Sequence, residues 1–197
     1  MTRTFDRRQW WKIAWACATV VLAVGCAGNE PVSSKPSAAA PAATTAPEPT
    51  QSETPTDPAD TAKKEAVATY LSHWKEVEKR YADKTDKAGD LKKYAAGAAL
   101  AQVEKDTERM RKRNTLALGT VAVGNPTVVS VDINRKVPNV IISSCLDISQ
   151  WQVLNADTKK PVALPKERLL RYVIKATVEK WPEGWRVIRD EPQGKKC

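Results

Sequence analysis

Four cysteines and a single histidine are the residues with most chemistry to offer in these 197 residues. His73 sits beside Trp74 in a helical stretch, off the main apolar stripe and towards the polar side, where a lone histidine is usually a surface residue. No nucleophile signature accompanies it, so a Ser/His/Asp or Cys/His arrangement has no support. Two separated cysteines and one histidine make no zinc pattern, and neither a metal nor another cofactor is expected. Asp132 and Asp190 fall on the wet positions of alternating strands and are expected to be solvated. The sequence names no catalytic residue.

The N-terminal cysteines have a clearer context. Arg3, Arg7, Arg8 and Lys12 precede an uncharged run over residues 13–24. That run is shorter than the roughly 20 apolar residues of a spanning helix and suits the apolar region of a secretory signal. It ends in "LAVGC", which resembles the lipobox of bacterial lipoproteins: apolar or small residues, a small Gly25, then Cys26. Ala23 stands where leucine is commonest. The resemblance implies a diacylglyceryl thioether on Cys26, cleavage before it, and a lipid bilayer as partner at the extracytoplasmic face of a bacterial cell membrane. Upstream, "DRRQWWK" resembles a twin-arginine export signal through Arg7 and Arg8; chance adjacency in a basic segment is the competing reading.

With Cys17 and Cys26 in the signal and the anchor, Cys145 and Cys197 remain. An exported chain lives in an oxidising compartment, where an even remainder pairs. The expected disulfide would stabilise by roughly 4 kcal/mol in the chain-entropy model. It also argues against Cys145 as a nucleophile.

These residues need a scaffold. Residues 1–25 read as the signal and residues 26–62 as a tether rich in Pro, Ala, Ser and Thr. The tether is too poor in large apolar groups to offset its ordering entropy, and its composition permits O-glycosylation. Partly extended, it reaches on the order of 100 Å. Residues 63–197 form one domain. Of 32 Lys+Arg and 23 Asp+Glu, five basic and six acidic residues precede Lys63, leaving 27 against 17 beyond it. That surplus suits either a solvated surface or contact with an anionic wall polymer or lipid headgroups. Nucleic acid is not an expected partner, since no recognition motif or basic helical stripe is present.

Val67, Tyr70, Leu71, Trp74, Val77 and Tyr81 recur at helical spacing, with Asp60 or Thr61 as the cap and Lys75, Glu76, Lys79 and Arg80 opposite. A short helix over residues 90–95 and a longer one over residues 98–113 follow. The period then switches to two. Val129, Val131 and Ile133 face inward, residues 140–144 form an apolar strand, and further strands cover residues 151–154 and 162–164. The longest, over residues 169–181, turns inward Leu170, Tyr172, Ile174, Ala176 and Val178. In the last strand Trp185, Val187 and Arg189 alternate with Arg186, Ile188 and Asp190. Helices followed by antiparallel strands predict an α+β fold with the helices on one face of a sheet.

The strands "CLDISQW", "RLLRYVIKATVEKW" and "GWRVI", with the terminal cysteine, resemble a group of actinobacterial secreted lipoproteins with an NTF2-like (cystatin-like) domain. The resemblance implies a curved sheet around the long helix and a cone-shaped cavity between them. Tyr70, Trp74, Tyr94, Trp151, Tyr172 and Trp185 are candidates to line that cavity, favouring a flat or amphipathic ligand over a charged one. Some NTF2-like relatives are isomerases with a buried carboxylate and a hydroxyl donor, roles open here only to Asp147 and Tyr172. Asp147 reads better as a turn cap and Tyr172 as core with its hydroxyl at the rim. The expected function is a non-catalytic, membrane-tethered binding or assembly module for a protein, wall polymer or apolar ligand. The alternatives are a small enzyme using the cavity and a docking unit of an export or conjugation complex.

Overall fold

The first helix starts earlier than the apolar periodicity suggests. In the computed structural model, which describes residues 57–197, α1 spans Pro58–Ala82. The signal, Arg7, Arg8, Cys26 and nearly all of the tether lie outside the described residues. Asp57, not Asp60 or Thr61, caps α1, its carboxylate accepting from the Ala59 amide at 2.9 Å. Pro58 opens the helix because the first turn needs no amide donor and proline's fixed φ already suits it. The helix therefore begins inside the stretch assigned to the tether. At its end the Asp83 carboxylate accepts from the amides of Thr85, Lys87 and Ala88. Those bonds hold its carboxyl well below the usual carboxylate range.

The buried stripe of α1 is Ala62, Ala66, Tyr70, His73 and Val77, rotated from the expected one. Glu76, expected on the polar side, is buried as well. It accepts from the Asp90 amide at 2.7 Å and from Lys79 at 2.6 Å, which fixes the start of the short helix α2 (Leu91–Tyr94) against α1. Helix α3 (Gly97–Lys112) turns Ala99, Val103 and Thr107 inward.

Six strands follow: β1 (Thr115–Leu118), β2 (Ala122–Asp132), β3 (Asn139–Asp147), β4 (Gln152–Asn155), β5 (Arg171–Trp181) and β6 (Gly184–Pro192). The architecture is α+β. Instead of one sheet there are two: an antiparallel sheet in the order β2-β3-β5-β6, and a separate β1-β4 pair. Residues 162–164 do not form the expected strand. Pro161 and Pro165 flank them and cannot donate to a ladder, so only the Val162 amide hooks onto Val153 of β4. Leu170, expected inward, precedes β5 and is exposed.

The main sheet has three register shifts, between Gly124 and Thr127 and between Val128 and Ser130 on β2 and opposite Thr177 and Val178 on β6, and the last two change which of the expected residues face the core. On β2, Val128 pairs with Ile142 and Ser130 with Ile141, leaving Val129 as the extra residue. Val128 and Val131 consequently pack on the core, and Val129, expected inward, is 58% exposed. On β6, Val187 pairs with Val178 and Arg189 with Thr177, which makes Ile188 the extra residue. Each extra residue reverses the alternation beyond it.

The main core packs Val140, Ile142 and Leu146 of β3, Ile174, Ala176 and Val178 of β5, and Trp185 and Val187 of β6 against Ala62, Ala66 and Tyr70. Tyr70 reaches Ser144 with its hydroxyl at 2.8 Å. Cys145 and Cys197 are joined as a disulfide with Cα atoms 5.8 Å apart. The Val173 amide donates to Lys195, and that of Gln193 to Val173, so the tail lies along β5. Among the described residues no helix is long and apolar enough to cross a membrane.

Candidate functional site

The bulge at Ile188 lies beside a covered stretch of strand edge and has a chemical result. Strand β6 is an edge of its sheet, and the link between α2 and α3 covers that edge. The Ala96 amide donates to the Val187 carbonyl at 3.0 Å, and Ala95 bridges to Val187. Beyond the bulge Arg189 faces outward and Asp190 turns inward. The expectation that Asp190 is solvated is corrected: its side chain is 9% exposed.

Asp190 meets His73, which is also not where its neighbours suggest. His73 lies in the middle of the α1 stripe at 1% exposure, and its Nε2 stands 3.5 Å from Asp190 Oδ2. His73 Nδ1 and Asp190 Oδ1 are buried without hydrogen-bond partners. Burial pushes the Asp190 carboxyl above its ordinary value, and His73 partly offsets that rise. Nearby, burial raises the Tyr172 hydroxyl, with the Asp190 charge adding to the effect.

Both residues line a pocket of about 420 Å³ between α1, α3 and the ends of β5 and β6. Its apolar wall is Trp74, Val77, Ala99, Val103 and Ile174. Tyr81 and Trp151 meet edge to face, centroids 5.5 Å apart, and form a corner. The Tyr81 hydroxyl donates to Asp106 at 3.1 Å. Asp106 also accepts from Gln102 at 3.0 Å and pairs with Arg109.

Of the six aromatic residues expected at the cavity, three line it: Trp74, Trp151 and Tyr172. Tyr70 is wholly buried beneath it. Trp185 is in the main core with its indole donating to Glu65 at 2.7 Å. Tyr94 stands on α2 under Lys93. Tyr81, His73, Asp106 and Asp190 are lining residues not anticipated in that role. The i, i+4, i+7, i+11 spacing of Ala66, Tyr70, His73 and Val77 carried the signal for His73; Asp190 had none, because a bulge placed it. Asp147 is outside the pocket, its carboxylate accepting from the Ser149 amide at 2.8 Å as a turn cap. Asp132 is exposed. Among the described residues no three His, Cys, Asp or Glu side chains are grouped to hold a metal ion.

No protein-family model matches the chain, and no curated protein matches it in sequence. Among solved structures the chain is similar to the intermembrane space region of the chloroplast protein ARC6. The identity is 12% and the TM-score 0.44, over 70% of this chain and 98% of that one.

Proposed function

We propose that this chain is an exported, lipid-anchored module that binds a small organic ligand in the pocket between α1, α3 and the β5–β6 edge. The single observation that carries the reading is the pocket itself. Trp74, Trp151 and Tyr172 line a space of about 420 Å³ and do not fill it. A half-open cleft with an apolar wall and a few polar groups at its floor is the form a small-ligand site takes. The lipobox at Cys26 and the tether supply the extracytoplasmic address, and the long helix before an antiparallel sheet supports the NTF2-like reading of the fold.

A second reading, an acid/base enzyme, has one observation in its favour: Asp190 is buried at an open pocket beside His73. Binding without turnover remains our reading; the Tyr172 hydroxyl, which lines the same pocket and feels the Asp190 charge, is the group that an acid/base enzyme would add to the pair.

The test is a titration of the full chain with the neutral fluorophore N-phenyl-1-naphthylamine. Gln102 lines the pocket from an exposed position on α3, so Gln102→Trp plugs the mouth without touching the core. Saturable one-to-one binding in the native chain, weakened at least tenfold by Gln102→Trp, is the expected result. Equal binding by both proteins rules the pocket out.

A further inference from the structure

The pocket's lining reverses the charge of the domain around it. From Lys63 onward the chain has 27 basic and 17 acidic residues, yet no Lys or Arg lines this pocket. Its ionisable lining is carboxylate: Asp106, Asp190 and Glu191, with His73 as the one basic group. Asp106 is shared with Arg109 outside the space. Glu191 has only a 3.6 Å contact to Arg189, and one Asp190 oxygen is unpartnered.

The rings show the same reversal. Outside the pocket, Lys93 lies over Tyr94, Lys180 over Trp185 and Arg186 over Trp181, each at 5.4 Å from the ring centroid. The negative face of an aromatic ring attracts cations, and in so basic a domain the outer rings collect them. Among the described residues no Lys or Arg lies over the four pocket rings, Trp74, Tyr81, Trp151 and Tyr172. They are the aromatic faces left for a cation brought from outside.

From this we infer that the pocket selects an organic cation, a quaternary or protonated amine on an apolar body. The inference rests on the reading of the pocket as a ligand site. Rings and carboxylates around one space favour an ammonium group over a neutral isostere and disfavour an anion.

The experiment compares choline with its neutral isostere 3,3-dimethylbutan-1-ol by displacement of N-phenyl-1-naphthylamine from the full chain. The cation is expected to bind at least tenfold more tightly, with that preference reduced by Glu191→Gln at the exposed rim and by Trp151→Leu in the wall. Glu191→Gln guards against a Trp151 variant that fails to fold. Phosphatidylcholine vesicles as a second arm separate the sources: tighter competition by vesicles assigns the cation to a lipid headgroup, and tighter competition by free choline to a soluble amine. Equal or tighter binding of the neutral alcohol overturns the inference and leaves the ligand site standing. If the fluorophore does not bind either, both fail.

Discussion

His73 and Asp190 face each other at 3.5 Å, one from the middle of α1 and the other from the last strand. The contact exists because Ile188 is an extra residue in β6. In an unbroken strand Asp190 would share the outward face with Arg186, and His73 would meet no carboxylate.

Substituting Asp190 has a pH-dependent consequence whose sign follows from burial. Its carboxyl is raised above its ordinary value, so the folded state favours the protonated form. The stability this contributes is fully present below the unfolded value of about 3.9 and is lost as pH rises through the higher folded value. Asp190→Asn cannot ionise. The melting temperature of Asp190→Asn minus that of the native chain is therefore expected to increase from about pH 4 upward. A flat difference would contradict the buried placement.

Removing the disulfide tests how firmly the tail is held. Cys145→Ser and Cys197→Ser should each lower the melting temperature by about 10 °C or more, since closing this loop is worth roughly 4 kcal/mol. The double variant should lose no more than either single one. Thermal unfolding by circular dichroism reads all three.

Gly119 joins β1 to β2 at a φ of +116°, and a Cβ there would collide with the Gln150 carbonyl and come within 3.2 Å of the Trp151 Cα. Gly184, at +128°, has open space around it. Both alanine variants force a left-handed backbone, but only Gly119→Ala must also displace the Gln150–Trp151 backbone. It should cost ~2 kcal/mol more than Gly184→Ala. Because Trp151 lines the pocket, Gly119→Ala should also weaken fluorophore binding. Urea unfolding and the dye titration measure the two effects separately.

The proposed anchor is tested at Cys26, which lies outside the described residues. The lipid chains proposed for Cys26 would contribute about 0.8 kcal/mol per buried methylene, so the native chain should enter the detergent phase on phase separation. Cys26→Ser should remain aqueous. Intact mass of membrane-bound protein that starts at Met1 and carries no lipid would falsify the assignment.

The sequence was most legible where periodicity alone determines structure. The inward face of β5 at Ile174, Ala176 and Val178, and the pairing of Cys145 with Cys197, follow from spacing and from the exported address that the N-terminus suggests. It was least legible where tertiary contacts override alternation. The α2–α3 link lies on the edge of β6, and beyond the bulge there Asp190 faces the core. Val129 was read as buried because alternation cannot show where a strand gains a residue. His73 was assigned to the surface from its neighbours, although a stripe of Ala66, Tyr70 and Val77 runs through its position. Alanines contribute little to an apolar pattern, and α1 is covered by both a sheet and α3, which widens its buried face. Half of the aromatic residues assigned to the cavity went elsewhere because aromatic character does not distinguish a pocket wall from a packed core.

The claim that the pocket is a ligand site is tested most directly by the indole N–H signals of the full chain, which has seven tryptophans. Trp74 and Trp151 line the pocket, whereas Trp181 and Trp185 flank the β5–β6 turn, at the other end of that hairpin from Tyr172 and Asp190. Nitrogen-15 correlation spectra recorded through a titration with N-phenyl-1-naphthylamine should shift the Trp74 and Trp151 indoles together along one saturating curve. The Trp181 and Trp185 signals should stay in place. Shifts confined to Trp181 and Trp185, or no saturable shift at Trp74 and Trp151, would contradict the account.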